Sequence, residues 1–345
     1  MPEDLILSTE PLSFPWACLD PFLFCVHHND RFPAGNAEMG PAASLRGRDL
    51  GQDFAFKDGW NMYHGRVVPG FPQHPHRGFE VVTVVPQGLL DHADSLGAAA
   101  RYGDGDVQWL TAGAGIVHSE MFPLLRTDQP NPVELFQIWL NLPAAQKMAQ
   151  PEYTMFWSAQ QPRLKGDGSN FTLVAGSLDG QQAPPPPQAS FAAQAKSELL
   201  IAYGEVQANG GRALPAASAG VNRCVYLFEG ALELDGKTWR APLRIVLKAD
   251  RAVVLAGAKP ALSAGSTEPA VEGGAKMLIL QGRPIGEPVA SYGPFVMNTK
   301  QELMQAFEDY QRTQFGGWPW PTDDPVHSRG AGRFARHPDG REEKP

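Results

Sequence analysis

Short apolar segments separated by turn residues are the feature that most limits what this chain can fold into. One of them, Glu80 to Val85, has the sequence EVVTVV and ends at Pro86-Gln87-Gly88. The chain contains 36 glycines and 32 prolines, and they punctuate many further segments of this kind. β-Branched side chains pack well on a pleated surface, whereas glycine and proline favour tight turns. The pattern predicts an all-β fold with many short strands.

The predicted strands fall into two groups. They cover residues 80–85, 107–111, 116–121 and 134–142 in the first group, and residues 224–228, 231–234, 244–247, 252–255 and 276–280 in the second. A chain of 345 residues is also longer than one compact core usually supports. We therefore predict an N-terminal domain over residues 1–143 and a C-terminal domain over residues 196–290.

Residues 144–195 are predicted to connect the two domains. The segment is polar and proline-rich, and it contains four consecutive prolines at residues 184–187. Such a run favours an extended polyproline conformation rather than a strand or a helix. A connection of this length can also pass over the mouth of a pocket.

One α-helix is predicted near the C-terminus, within residues 291–315. Thr299 and Glu302 match a capping box, and the apolar residues that follow recur at helical spacing, which predicts a helix over residues 300–312. The tail of residues 316–345 contains a Trp-Pro-Trp-Pro sequence at residues 318–321, which we expect to lie on a surface groove. Beyond residue 325 the tail is charged and is predicted to be mobile.

Composition excludes several classes of protein. The formal net charge of −8 disfavours direct binding to nucleic acid. The three cysteines have no paired spacing, which argues against a disulfide framework or a zinc–thiolate site. No apolar run approaches the roughly 20 residues of a membrane helix. Met1 to Asp4 is acidic where a secretory signal would be basic, so a cytoplasmic protein is expected.

Two short motifs carry side chains that bind metals. His74-Pro75-His76 and His118-Ser119-Glu120 each place two such side chains at positions i and i+2. On a β-strand, positions two apart point to the same face. If the two strands face each other inside a barrel, three imidazoles and one carboxylate converge. That set suits a divalent transition metal and leaves positions for exogenous ligands.

The alternative is that these histidines are ordinary core or surface residues. The chain has nine histidines, so a single His-x-His pattern carries little weight. The second motif follows after two further predicted strands and a turn, as a small antiparallel barrel requires. The chain has no histidine between His118 and His327, so the C-terminal domain cannot repeat the site.

The sequences HPHRGFEVVTVVPQGLLDHADSLG, GDVQWLTAGAGIVHSEM and QIWLNLP closely resemble the pirin family of the cupin superfamily. The later sequence SYGPFVMNT, followed by the capped helix, resembles the C-terminal signature of that family. The resemblance implies a bicupin, with two cupin-type antiparallel β-barrels and a short C-terminal α-helix. It also implies that only the N-terminal barrel binds a metal.

Carried over by motif position, the metal ligands implied by the resemblance are His74, His76, His118 and Glu120. The implied metal is iron, as Fe(II), and the ligand types equally suit Cu, Ni, Mn, Co or Zn. Glu80 competes for the carboxylate position, because many cupins use a glutamate a few residues after the His-x-His. We prefer Glu120, with Glu80 able to orient an imidazole.

Other polar residues near the motifs are expected to have structural or peripheral roles. They are Arg77 in an ion pair, Asp91, His92 and Asp94 at a turn, and His27, His28 and His64 at the rim of a pocket.

Some members of the pirin family open flavonols such as quercetin with dioxygen and release carbon monoxide. The resemblance therefore implies a metal-dependent dioxygenase, an oxidoreductase whose substrates are a flavonol and O2. Glu120 is then the candidate proton acceptor, because it lies within reach of a hydroxyl bound at the metal. The alternative is a non-enzymatic metal-binding protein that regulates transcription factors or binds metabolic enzymes. A third possibility is a metal that only stabilises the barrel.

Overall fold

The computed structural model describes residues 5–259 and 273–345, so the acidic start at residues 1–4 lies outside it. Strands make up most of the regular structure. In chain order they are β1 (Ile6–Pro11), β2 (Trp16–Ala17), β3 (Phe22–Phe32), β4 (Gly70–His76), β5 (Phe79–Gln87), β6 (Leu89–Asp94), β7 (Ala99–Gly103), β8 (Val107–Thr111), β9 (Ile116–Met121), β10 (Asn131–Asn141), β11 (Glu152–Phe156), β12 (Arg163–Gly166), β13 (Ser169–Ala175), β14 (Ser177–Leu178), β15 (Gln181–Gln182), β16 (Leu200–Gln207), β17 (Gly211–Leu214), β18 (Asn222–Leu234), β19 (Lys237–Arg240), β20 (Leu243–Lys248), β21 (Val253–Gly257), β22 (Gly274–Gly282), β23 (Ala290–Tyr292), β24 (Phe295–Met297), β25 (Phe334–Arg336) and β26 (Glu342–Glu343).

The predicted α-helix is confirmed as α1 (Lys300–Thr313). Thr299 accepts a hydrogen bond from the backbone N–H of Glu302, whose carboxylate accepts from the backbone N–H of Thr299. This reciprocal pair satisfies two donors at the helix start. No helix in the described part of the chain is long and apolar enough to cross a bilayer.

Two compact units make up the chain. One, here called the histidine unit, comprises Cys25–Ser158 and Glu287–Pro345, and it contains all nine histidines. The other, the histidine-free unit, comprises Met1–Phe24 and Ala159–Gly286. These groupings differ from the predicted domain limits at residues 143 and 196. The difference arises because β1 pairs with β20 and β25 pairs with β7, partners that are distant in sequence.

The histidine unit contains two antiparallel sheets that pack face to face. One has the strand order β11-β8-β5-β10-β3 and the other the order β26-β25-β7-β6-β9-β4. The inner faces meet where Thr83 on β5 donates a hydrogen bond to Glu120 on β9. Neither sheet closes on itself within the described residues, so the predicted cupin-type barrel takes the form of a jelly roll of two open sheets.

The histidine-free unit is built around β18, which joins two predicted strands into one. β18 pairs with β20 and β22 along its first part and with β19 and β21 along its last part. Asp235 and Gly236 form the tight turn between β18 and β19, because both residues have positive φ and Leu234 pairs with Lys237. The core of this unit consists of buried apolar side chains.

The segment at residues 144–195 is not the plain connection that we predicted. β11 pairs with β8 in the histidine unit, and β13 pairs with β16 in the histidine-free unit. The proline content of the segment concealed these strands from the sequence prediction. The prolines lie in the loops between the strands and not within them. Residues 184–187 lie outside any strand or helix, as their sequence indicates.

The C-terminal tail is ordered on the histidine unit, which corrects the prediction of a mobile end. Arg101 on β7 pairs with Asp91 through two hydrogen bonds of 2.6 and 2.7 Å. The same guanidinium donates to the carbonyls of His327, Ser328 and Ala331 in the tail. β25 then extends the sheet beyond β7. Charged residues hold the tail in place, so the charged composition of the tail did not indicate mobility.

Candidate metal centre

Three histidines from paired strands meet in the histidine unit. His74 and His76 lie on β4, and His118 lies on β9, where it pairs directly with His74. The potential ligand atoms of the three side chains all lie within 4.8 Å of one another. The three imidazoles converge as we expected, but the group does not include the expected carboxylate, and the strand arrangement differs from our prediction. β4 and β9 are neighbours in one sheet and do not face each other across a barrel.

Several nitrogens of these histidines lack a hydrogen-bond partner. His74 Nδ1 donates to the carbonyl of Pro72 at 2.8 Å, so its Nε2 carries the free lone pair. His76 Nδ1 and both ring nitrogens of His118 are buried without a partner in the described residues. A buried polar atom without a partner costs free energy. A metal ion would satisfy one ring nitrogen of each imidazole, so the residues present fit a metal.

Burial keeps the three imidazoles in the neutral form that binds metals. Loss of hydration lowers the pKa of His74 to about 4. For the same reason, and because the other imidazoles lie close by, the pKa values of His76 and His118 fall well below their usual range. His76 and His118 are buried, whereas His74 is partly exposed. His74 is therefore the most exposed of the three residues.

Glu120 lies beside the histidine group. It is buried on β9, and its Oε2 is 3.9 Å from His118 Nε2. Gln137 Nε2 donates to the same oxygen at 2.6 Å, and Thr83 Oγ1 donates to Oε1 at 3.4 Å. Burial raises the pKa of Glu120 above its usual value. Gln137 and Thr83 could not be identified from sequence beyond their positions on predicted strands, because neither is a typical metal ligand.

Glu80 does not share a strand with His74 and His76. The chain turns at Gly78, where φ is 87°, and Glu80 lies on β5 in the other sheet. Its Oε1 accepts hydrogen bonds from Trp109 Nε1 at 3.0 Å and from Thr111 Oγ1 at 2.8 Å. These bonds from β8 hold one oxygen of the carboxylate in place.

A fourth histidine lies next to the group, where we had predicted a polar turn. His92 is fully buried on β6 and pairs with Glu120 across the two strands. Its ring centroid is 5.6 Å from that of His118 and 5.3 Å from that of Tyr153. The prediction of a structural turn is wrong for His92. The sequence did contain a signal, since His92 and Asp94 have the same i, i+2 spacing as both metal motifs.

Aromatic side chains close one side of the histidine group. The rings of Phe79 and Trp139 each lie 5.1 Å from the ring of His76. The two aromatic rings also stack on each other with centroids 4.0 Å apart. Both residues are buried, so this wall keeps water away from the inner side of the site.

The other histidines that we assigned to a pocket rim are engaged elsewhere. His27 Nε2 lies 2.9 Å from Glu134 Oε1, and His64 Nδ1 lies 2.7 Å from the carbonyl of Gly51. His28 is buried rather than at a rim, and its Nδ1 is 2.8 Å from the hydroxyl of Tyr63. None of these histidines belongs to the metal-capable group found in the described residues.

Arg77 forms the structural ion pair that we predicted. Its Nη1 donates to Asp309 Oδ2 at 2.8 Å, and its Nε donates to the carbonyl of Ala114 at 2.7 Å. The pair joins α1 to the residue that directly follows β4, which fixes the helix against the sheet that carries the three histidines.

The histidine unit is a jelly roll that carries histidines on paired strands, and the histidine-free unit is a second domain of antiparallel strands. Together these features define a two-domain cupin. The family model described as Pirin matches residues 19–140, and the model described as Pirin C-terminal cupin domain matches residues 203–316. The chain therefore belongs to the pirin family, whose members typically bind a metal.

Relatives of the chain include proteins named for quercetin cleavage and proteins named for pirin. A Pseudomonas aeruginosa protein named "Putative quercetin 2,3-dioxygenase" is 37% identical over 250 residues, which cover 71% of this chain and 79% of that protein. A "Pirin-like protein" of Caulobacter vibrioides is 37% identical over 250 residues, with 71% and 80% covered. The crystal structure of quercetin 2,3-dioxygenase from Acinetobacter baumannii matches with a TM-score of 0.69 at 26% identity, covering 90% of this chain and 98% of that chain.

Proposed function

We propose that the chain is a metal-dependent dioxygenase that cleaves flavonols such as quercetin with O2 and releases carbon monoxide. The observation that carries this proposal is the group of three neutral imidazoles, of which His76 and His118 have buried ring nitrogens without a hydrogen-bond partner in the described residues. The relatives named for quercetin 2,3-dioxygenase support the choice of substrate. We also propose that the protein acts in the cytoplasm.

His74, His76, His118 and Glu120 would hold the metal. Three imidazoles and one carboxylate suit Fe(II), and Cu, Ni, Mn, Co or Zn fit the same donor set. When bound, such an ion acts as a Lewis acid that lowers the pKa of a coordinated hydroxyl group. Because His74 is partly exposed, a substrate would approach from its side.

Glu120 is the proposed proton acceptor for the flavonol 3-hydroxyl. Burial raises its pKa, which favours uptake of a proton from a substrate bound within hydrogen-bond reach. Gln137 and Thr83 each donate to one of its oxygens and so hold the carboxylate in a fixed orientation. The wall of Phe79 and Trp139 limits the access of water to the reacting groups.

The chemistry is proposed to be confined to the histidine unit. The histidine-free unit has an apolar core and lacks imidazole altogether, so it has no donor set of this kind. We propose that its role is structural.

The test is anaerobic and aerobic incubation of the metal-loaded protein with quercetin. A change in the absorption spectrum of quercetin without oxygen, followed by formation of the ring-cleaved depside in air, is expected. Metal-replete protein that shows neither change contradicts the enzymatic function and favours a binding or regulatory protein. A large fall in melting temperature on chelation, with no response to ligand, would instead indicate a metal that only stabilises the fold.

A further inference from the structure

Asp94 fixes the proton on one nitrogen of His92. The Oδ1 atom of Asp94 accepts hydrogen bonds from the backbone N–H groups of Leu96 and Ala98, at 2.9 and 3.0 Å. Its Oδ2 atom lies 3.1 Å from His92 Nε2. A carboxylate oxygen only accepts, so Nε2 is the nitrogen that carries a proton and donates to Oδ2.

The other nitrogen of His92 is an acceptor without a donor. Nδ1 is buried, and it has no hydrogen-bond partner in the described residues. The two nitrogens of an imidazole point in widely different directions, so Nδ1 faces away from Asp94. A buried acceptor of this kind costs free energy until a donor reaches it.

The ring of His92 is held in place by its neighbours. The ring of Tyr153 stacks parallel to it, with the centroids 5.3 Å apart. The carbonyl of His92 is 3.1 Å from His327 Nε2, and the adjacent Asp91 is paired with the buried Arg101. His92 Nδ1 therefore keeps a fixed position.

His92 borders the proposed metal site. His92 pairs with Glu120 across β6 and β9, and its ring centroid lies 5.6 Å from that of His118. Residues that pair across antiparallel strands present their side chains on the same face of the sheet. His92 and the Glu120 carboxylate therefore border the same space.

We propose that His92 Nδ1 accepts a hydrogen bond from a hydroxyl group bound at the site of His74, His76 and His118. The inference rests on the proposed function. Two sources share this chemistry, namely water bound at the site and the 3-hydroxyl of a flavonol. In either case His92 selects an O–H group, and Asp94 is a positioning residue because it sets the tautomer of His92.

Two substitutions remove the acceptor in different ways. His92→Phe keeps an aromatic ring against Tyr153 but removes both nitrogens. Asp94→Asn keeps an oxygen for the backbone N–H groups of Leu96 and Ala98, while its amide donates to Nε2 and moves the imidazole proton to Nδ1. Tyr153→Phe is the matched control, because it preserves the stacked ring and leaves the nitrogens of His92 unchanged.

Two measurements on metal-loaded protein separate the two hydroxyl sources. Anaerobic titration compares the dissociation constant of quercetin with that of a flavone that lacks the 3-hydroxyl. Solvent-proton relaxation of the Mn(II)-loaded protein, without substrate, reports on water at the metal. If the substrate hydroxyl is the donor, both substitutions weaken quercetin binding about tenfold and leave flavone binding unchanged. If bound water is the donor, both substitutions change the relaxation rate and Tyr153→Phe does not.

Variants that match the wild type in both measurements overturn the proposal. So does an equal loss of affinity for quercetin and for the flavone without a change in relaxation, because that pattern indicates a purely structural role. The metal content of the wild-type protein, measured first, tests the proposed function separately. A wild-type protein that takes up no metal contradicts that function, whereas metal-replete variants with unchanged behaviour contradict only the role of His92.

Discussion

His74 and His118 pair directly across β4 and β9, with their ring centroids 4.4 Å apart. Side chains of directly paired residues lie on the same face of a sheet at short range. Strand register therefore assembles the proposed metal site, since a slip of one residue would turn one of the two imidazoles to the opposite face.

Replacement of His118 by alanine is expected to abolish metal binding. The substitution removes a central imidazole of the group, and loss of a supporting residue alone typically weakens metal binding by about 10- to 100-fold. We therefore expect an affinity at least about 100-fold lower, measured by elemental analysis and competition with a chelator. His64→Ala is the matched control and should retain the metal, because His64 lies outside the group. Equal metal content in the two variants would contradict the assignment.

The carboxylate ligand can be assigned by comparing Glu120→Gln with Glu80→Gln. Glu120 lies 3.9 Å from His118, whereas Glu80 accepts hydrogen bonds from Trp109 and Thr111 on β8. A glutamine at position 80 can still accept those two bonds, so we expect normal metal content. The Glu120 variant should lose most of its metal. Metal-free Glu80→Gln protein beside metal-replete Glu120→Gln protein would reverse the assignment.

Arg101→Ala is expected to destabilise the fold by about 3–5 kcal/mol, because it leaves the carboxylate of Asp91 buried without its partner. Both side chains of this pair are fully buried. The control is Arg312→Ala, which breaks an ion pair at a largely exposed arginine and should cost less than about 1 kcal/mol. Urea unfolding of both variants measures the difference. Similar losses of unfolding free energy in the two variants would contradict a larger contribution from the buried ion pair.

The stability of the protein should depend on pH through Lys147. Its buried ammonium donates to the carbonyls of Gly78 and Val296 and to Asn141 Oδ1. Burial lowers its pKa from 10.5 to about 8 in the folded protein. Between these two values the unfolded chain binds a proton that the folded chain has released, so the free energy of unfolding rises with pH.

Lys147→Met removes this titration. The free energy of unfolding of the wild type relative to the variant should increase by up to about 3 kcal/mol across that pH window and stay constant below it. Chemical unfolding of both proteins at several pH values checks the sign. A difference that stays flat, or that falls as pH rises, would show that Lys147 keeps its proton in the fold.

The strands around the metal motifs and the C-terminal helix could be predicted from sequence, because local patterns determine them. β8 and β9 have the predicted bounds, and α1 begins at the predicted capping box. The three histidines were also found from sequence, because the spacing of two residues on a strand fixes a common face.

Long-range pairing explains what the sequence did not reveal. His92 lies beside Glu120 because β6 pairs with β9, and no local pattern specifies that partner. The tail is ordered because Arg101 is buried against carbonyls more than two hundred residues away in sequence. Glu80 follows His76 closely in sequence, yet the turn at Gly78 sends it to the other sheet.

Oxygen uptake with carbon monoxide release by the Fe(II)-loaded protein tests the central claim most directly. Given quercetin in air, the wild-type protein should consume O2 and release carbon monoxide in equal amounts, and His118→Ala should do neither. A wild-type protein with a full metal site that consumes no O2 and releases no carbon monoxide would contradict the proposal that this centre cleaves flavonols.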